Sequence, residues 1–320
     1  MSIRISAPSR LHFGIIDMRG DMGRLHGSVG VSIKQPRLII ELKKSTENKI
    51  TGARSERASE IINHFREQYE ITSGIELNIL EDIPEHMGFG SGTQLAIALG
   101  TAISRTFNLG LSMEEIAVQL ERSRRSGIGS HGFIHGGFLV DAGHSVKRPN
   151  TVPPLVYHCD FPDEWKFVVC VPKINRGYYG EKELNAFKNL EPPPADLVSS
   201  ASRLVLLQMI PSVIERDIVL FGDAMTKLDT MFGDYWGKVQ GGTYFHPRIE
   251  ECVNKLLDEG TFGAGQSSWG PALYGLADGM KQANNLQSIM EEYLNIGDNS
   301  GSVFITSADN AGAEITEAEP

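Results

Sequence analysis

Two glycine-rich segments constrain this chain more than any other feature: Pro84-Glu-His-Met-Gly-Phe-Gly-Ser-Gly-Thr-Gln94 and Gly263-Ala-Gly-Gln-Ser-Ser-Trp-Gly270. Each follows a predicted strand and leads into another regular element. Before the first, alternating Ile75, Leu77 and Ile79 predict a strand; after it, Leu95-Ala-Ile-Ala-Leu99 predicts a helix. The glycines therefore fall at a helix N-terminus, where unsatisfied backbone N–H groups and the helix dipole attract anions. Glycine lets that backbone approach a phosphate closely, and Ser91, Thr93 and Gln94 add hydroxyl and amide groups for the phosphate or its metal. One such loop is also what an ordinary tight turn looks like. The second loop tips the expectation towards a phosphate-binding enzyme.

Around these loops the chain divides into a β-rich half and a helical half. From Ile3 to about Leu42 it reads as several β segments of one sheet, with a turn at Gln35-Pro36. Ala58, Ile61, Ile62, Phe65 and Tyr69 recur at helical spacing, and Ser112-Met-Glu-Glu115 has the form of a capping box opening a helix to about Arg122. Residues 127–137 read as a second polar, glycine-rich stretch before a returning strand, Phe138-Leu-Val-Asp141. Residues 149–162 are the linker candidate, which places the domains at 1–155 and 156–320. The second domain opens on the strand Phe167-Val-Val-Cys-Val171 and becomes mainly helical from about Gly180 to Gly260. It closes with strands at 271–275 and 302–306 flanking a helix that reaches about Leu294, and residues 310–320 read as a frayed acidic tail.

Composition limits the partners. At 320 residues, 41% hydrophobic and 22% charged, the chain has the make-up of a soluble globular protein. No apolar stretch approaches membrane-spanning length and the N-terminus carries no apolar signal core, so no membrane association is expected and the cytoplasm is the expected compartment. Cys159, Cys170 and Cys252 are odd in number and widely spaced, as buried reduced thiols are. Net charge is −10, yet residues 1–150 hold 18 Lys/Arg against 16 Asp/Glu. Nucleic acid is not an expected partner, whereas an anionic small molecule suits the first half.

In order and spacing the chain resembles the GHMP kinase superfamily. Its N-terminal proline motif corresponds to Pro8-Ser-Arg-Leu-His-Phe13, its phosphate loop to Pro84–Thr93 and its late Gly-x-Gly loop to Gly263–Gly270. The resemblance implies an α+β, two-domain GHMP-kinase-like fold, with a ribosomal-protein-S5-like N-terminal domain and a ferredoxin-like C-terminal domain. It is closer to one branch, the archaeal β-ribofuranosylaminobenzene 5'-phosphate synthases of methanopterin biosynthesis. The stretches that carry it are Pro8–Asp17 with Gly23-Arg-Leu-His-Gly27, Gly88-Phe-Gly-Ser-Gly-Thr-Gln-Leu95, Arg124–Gly129 with His135-Gly-Gly-Phe138, and the late loop. That branch condenses phosphoribosyl pyrophosphate with 4-hydroxybenzoate or 4-aminobenzoate, releasing carbon dioxide and pyrophosphate. Two departures from the kinase pattern argue against phosphoryl transfer from ATP: Gly129 stands where the catalytic Asp is expected, and Gly92 where a serine often binds magnesium. A small-molecule ATP-dependent kinase and a non-catalytic ligand sensor remain the alternatives.

On this resemblance the pyrophosphate belongs to Gly88, Gly90, Ser91, Gly92, Thr93 and Gln94, with Mg²⁺ held at Ser91 or Thr93. The nucleophile is the ring carbon that bears the carboxylate. A base or hydrogen-bond acceptor near the para group raises its reactivity; His12, His26, Asp17, His131 and His135 are the candidates, with His12 and His26 the preferred pair and His131 and His135 also candidates for binding substrate. Each histidine equally reads as one satisfying a local hydrogen bond, and Asp17 as a turn anchor. Arg10, Arg24, Arg125 and Arg176 are candidates for the 5-phosphate or the carboxylate. Gly263, Gly265, Gln266, Ser267 and Ser268 either contact substrate or brace the phosphate loop, and Trp269 either stacks on the acceptor or packs the domain interface. A homodimer is expected from the family.

Overall fold

Alternation of apolar residues from Ile3 onwards builds two long strands rather than several short ones. The computed structural model describes residues 2–174, 190–295 and 300–318, so Arg176 lies outside the described residues. In it β1 (Ser2–Asp17) and β2 (Arg24–Ser45) pair antiparallel along most of their length. Gln35-Pro36, expected as a turn, instead lies inside β2, and the pair absorbs it as a register shift between Pro8 and Ser9. After β3 (Lys49–Thr51), α1 (Ser55–Gln68) buries Ala58, Ile61, Ile62 and Phe65, the predicted face. Then β4 (Gly74–Glu81) runs through the first glycine loop into α2 (Ser91–Thr106).

The predicted capping box is present. Ser112 and Glu115 exchange side-chain to backbone hydrogen bonds at the start of α3 (Met113–Gln119), which stops short of Arg122. The polar, glycine-rich stretch that follows contains a helix, α4 (Ile128–His135), not assigned from the sequence. Its glycines serve close packing. A Cβ on Gly132 would lie 2.4 Å from Ser32 Oγ, and one on Gly129 3.2 Å from Thr93 Cγ2. There follow β5 (Phe138–Asp141), β6 (His144–Ser145) and β7 (Leu155–Cys159). Since β7 pairs with β5, residues 149–162 are not a free linker.

After β8 (Trp165–Pro172), α5 (Ala195–Leu204) continues through a π-helical turn at Val205–Met209 into α6 (Ile210–Glu215). Contrary to the sequence expectation, the run Ala195–Glu215 is long and apolar enough to cross a membrane by length and composition. It turns Val198, Ala201, Val205, Met209 and Val213 into the core and leaves Leu206, Leu207 and Ile214 exposed. The chain goes on through α7 (Ile218–Gln240), α8 (Pro247–Asp258), β9 (Gly263–Gln266), β10 (Leu273–Asp278), α9 (Gly279–Leu294), β11 (Gly301–Thr306) and β12 (Glu314–Ala318).

These strands make two sheets. The first orders its strands β12-β1-β2-β4-β3, with β5 and β6 on β2 and β7 beyond β5. The second is antiparallel with the order β11-β8-β10-β9, the split β-α-β arrangement of a ferredoxin-like unit. The acidic end is therefore no frayed tail. As β12 it returns to the first sheet and pairs with β1 from Ser2↔Ala318 to Ser6↔Glu314, covering an edge that would otherwise be open.

Candidate active site

The two glycine loops are backbone neighbours. Gly88 and Gly90 adopt φ of 95° and 77°, which glycine takes without strain. A Cβ on Gly88 would lie 2.3 Å from the Ser267 carbonyl oxygen, and one on Gly270 2.1 Å from the Met87 carbonyl carbon, so no side chain fits between the loops. The buried Ser267 hydroxyl donates to the Gly88 carbonyl at 2.6 Å and accepts from the His12 N–H at 3.0 Å. Arg10 donates from its guanidinium to the same carbonyl and from its backbone N–H to Phe89 O, at 3.1 Å. The N-terminal motif, phosphate loop and late loop thus lock into one unit, and Ser267 acts in it as a brace.

This unit forms one side of a cleft of about 850 Å³, lined on the other by Asp229, Phe232, Gly233 and Trp236 of α7 together with Tyr244. Cations gather at the phosphate loop. Arg10 packs on Gly90, the Arg122 guanidinium comes within 3.4 Å of where a Gly92 side chain would begin, and Arg124 and Arg125 line the same cleft. Arg122 keeps a buried Nε with no hydrogen-bond partner among the described residues. Aromatic rings gather elsewhere on the wall, where Trp236 and Trp269 meet edge to face at 5.1 Å between centroids.

Both preferred histidines line the cleft. Burial, with the charges of Arg10 and Arg125, pushes His12 down to about 3. Burial, His144 and Arg125 push His26 down to about 4. Each is therefore neutral at physiological pH and adds no cation to the site; it offers a hydrogen-bond donor on one ring nitrogen and an acceptor on the other.

Other predicted residues turn away. Asp17 accepts from the N–H groups of Arg19 (2.6 Å) and Gly20 (3.3 Å) and so anchors a turn. Arg24 is tied to the carbonyls of Ala142 (2.8 Å) and Gly143 (2.6 Å). His131 is buried with Nε2 2.7 Å from Pro153 O, and His135 packs between the His131 and His158 rings. None of these four is among the residues lining the cleft. Gln94 is also buried, its amide donating to Gly129 O at 2.7 Å, so it joins α2 to α4. Ser91 is buried at the first turn of α2, while Thr93 reaches the cleft. Gly263 and Gly265 allow α7 to lie on β9; a Cβ on Gly263 would meet Gly222 O at 2.2 Å. Ser268 and Gln266 line the cleft.

Sequence reasoning missed Arg122, Tyr244, Trp236 and Asp229. Arg122 had a local signal in the Arg-x-Arg-Arg run it begins, whereas Asp229 sits in an unremarkable stretch of helix and acquires its surroundings only through folding. Among the described residues no group of three His, Cys, Asp or Glu is placed to cage a metal. The Thr93 hydroxyl and the Glu121 carboxylate, the latter paired with Arg124, line the cleft and are oxygen donors that would fit Mg²⁺ brought in by phosphates.

Comparison with known proteins identifies the family. The GHMP kinase N-terminal domain family matches residues 56–137 and the GHMP kinase C-terminal family residues 209–296. The homoserine kinase of Cytophaga hutchinsonii superposes with a TM-score of 0.71 at 16% identity, over 98% of this chain and 97% of that one. Mevalonate diphosphate decarboxylase from Staphylococcus aureus gives 0.66 at 15%, over 99% and 98%. These structures share the fold, which is that of the GHMP kinases. At the level of sequence, a protein of Methanothermobacter thermautotrophicus named β-ribofuranosylphenol 5'-phosphate synthase is 31% identical over 97% of this chain and 97% of its own. Its namesake in Archaeoglobus fulgidus is 31% identical over 98% and 99%. The chain belongs to this synthase family, a branch of the GHMP superfamily, and is an enzyme of the pentosyltransferase class.

Proposed function

We propose that the cleft joins phosphoribosyl pyrophosphate to 4-hydroxybenzoate, releasing carbon dioxide and pyrophosphate and leaving a ribofuranosylphenol 5'-phosphate for methanopterin biosynthesis. The observation that carries this reading is the division of one cleft into a cationic end at a helix N-terminus and an aromatic wall. An anionic sugar donor suits the first and a benzoate ring the second. The phenol in the relatives' name favours the hydroxy over the amino acceptor.

The donor's pyrophosphate rests on the backbone N–H groups at the start of α2, with Thr93, Arg10 and Arg122 around it. Magnesium bound to that pyrophosphate supplies charge neutralisation for the leaving group. As the C1–oxygen bond breaks, these fixed dipoles and cations stabilise the departing charge. The carboxylate-bearing ring carbon attacks C1, and loss of carbon dioxide returns the electron pair to the ring. No ring proton has to be removed, which accords with Gly129 at the position of the kinase Asp.

The test incubates the protein with Mg²⁺, phosphoribosyl pyrophosphate and carboxyl-labelled 4-hydroxybenzoate or 4-aminobenzoate, with ATP plus candidate alcohols as the control. Donor-dependent labelled carbon dioxide, faster from the hydroxy acceptor, is expected. ADP formation without carbon dioxide would replace this reading with a kinase.

A further inference from the structure

Asp229 is a half-buried carboxyl group that lines the cleft and has no ion-pair partner among the described residues. It follows Leu228, which packs on Gly14 of β1, and lines the cleft together with Phe13, Phe232 and Gln266. Its Oδ2 accepts from the Gln266 N–H at 3.1 Å. Gly265 is the residue that makes room for it, since a Cβ there would lie 2.9 Å from both the carboxyl carbon and the Tyr274 hydroxyl. The groups that face Asp229 are the Gln266 N–H from β9, the buried Tyr274 phenol from β10 and the Tyr244 phenol from the segment after α7. Burial raises the carboxyl to about 7, against the pull of the Gln266 N–H and of the nearby Tyr244 hydroxyl. A carboxyl without an ion-pair partner among the described residues, facing phenol hydroxyls in an aromatic-walled cleft, matches a hydroxyl brought in by a ligand.

We propose that Asp229 receives the para hydroxyl of the aromatic acceptor and takes its proton as the new carbon–carbon bond forms. The inference rests on the reaction proposed above and assigns one of its catalytic residues. The hydroxyl O–H electron pair moves into the ring as its proton passes to Asp229. The ring carbon bearing the carboxylate bonds to C1 of the ribose, and the C1–oxygen bond breaks with its pair leaving on pyrophosphate. The ring is then a dienone. Loss of carbon dioxide sends the carboxylate bond pair back through the ring to the oxygen, which recovers its proton from Asp229, so no net proton is consumed. A carboxyl lifted towards neutrality accepts a phenolic proton better than an ordinary one.

The test compares wild type with Asp229→Asn, an isosteric change. With 4-hydroxybenzoate the variant is expected to lose kcat by ~10²-fold or more, as removal of a general base does. In wild type kcat/KM should rise with pH through about 7, where the free carboxylate forms, and that limb should vanish in the variant. The loss should shrink with 3-fluoro-4-hydroxybenzoate, whose hydroxyl is more acidic. Equal losses with both acceptors and an unchanged acid limb would mark Asp229 as merely structural. If the variant fails to fold, wild type alone decides: the limb should be present with 4-hydroxybenzoate and absent with 4-aminobenzoate, which has no hydroxyl proton to give, and an identical limb with both overturns the assignment. Wild type that releases no carbon dioxide from any acceptor would overturn the reaction and this inference with it. An active wild type with an unaffected variant overturns only the role of Asp229.

Discussion

Each cleft residue is shaped by the cost of being there. Arg122 spends part of its length buried beside the phosphate loop, and burial, with the charge of Arg57, lowers its pKa. A guanidinium remains charged in such a place, so its exposed face seeks an anion. Arg122→Ala should raise the KM for phosphoribosyl pyrophosphate by ~10- to 100-fold, the worth of a charge-assisted hydrogen bond, and leave the KM of the aromatic acceptor nearly unchanged. Steady-state kinetics with each substrate varied in turn checks this; an equal rise in both would place Arg122 outside the donor site. His12 makes a second prediction. Unfolded, it takes up a proton near its ordinary value of 6.5; folded, only near 3. Between these values the unfolded chain binds more protons, so the stabilising contribution is full above 6.5 and is lost as pH falls through the window. Asp229, raised to about 7, acts in the opposite sense, its contribution being lost as pH rises towards 7. Denaturant midpoints measured between pH 7 and 4.5 should therefore drop less for His12→Gln than for wild type, and an identical drop would mean that His12 protonates freely in the folded protein.

Elements were legible in the sequence where one local rule decided them. The alternation in β4, the helical spacing of α1 and the capping box of α3 each specify their element without reference to the rest of the chain. The failures share a physical cause. The glycine-rich stretch 127–137 gave no helix signal because glycine is a poor helix former, yet Gly129 and Gly132 are in α4, where α2 and β2 approach closely. Likewise the acidic end reads as a tail, and only the unpaired edge of β1 makes it a strand. Most of β12 is exposed, so little apolar burial holds it, but the edge it covers belongs to the strand that bears Arg10 and His12. Deleting residues 313–320 should lower the melting temperature by a few degrees, in keeping with ~1–2 kcal/mol of lost pairing, and promote association through the bared edge. Calorimetry and light scattering would reveal it. A truncated chain as stable and as monodisperse as the full one would show the pairing to be incidental.

At the scale of the molecule, the site exists because two sheets meet through their glycine loops. The loops themselves, Arg10, His12 and His26 could be read from the sequence, since motif and spacing announced them. The convergence could not. Asp229 and Arg122 belong to α7 and to the segment after α3, far apart in sequence, and acquire a shared cleft only when the second sheet docks on the first. The same docking turns Ser267 from a candidate ligand into a brace between Gly88 and His12. The function proposed for this junction is a decarboxylating ribosyl transfer on a scaffold shared with kinases. Its sharpest test is the joint yield of labelled carbon dioxide and pyrophosphate in a single turnover of phosphoribosyl pyrophosphate with 4-hydroxybenzoate. Equimolar release of the two, dependent on both substrates and abolished without either, is the predicted result. Pyrophosphate without carbon dioxide, or carbon dioxide without the donor, would contradict it.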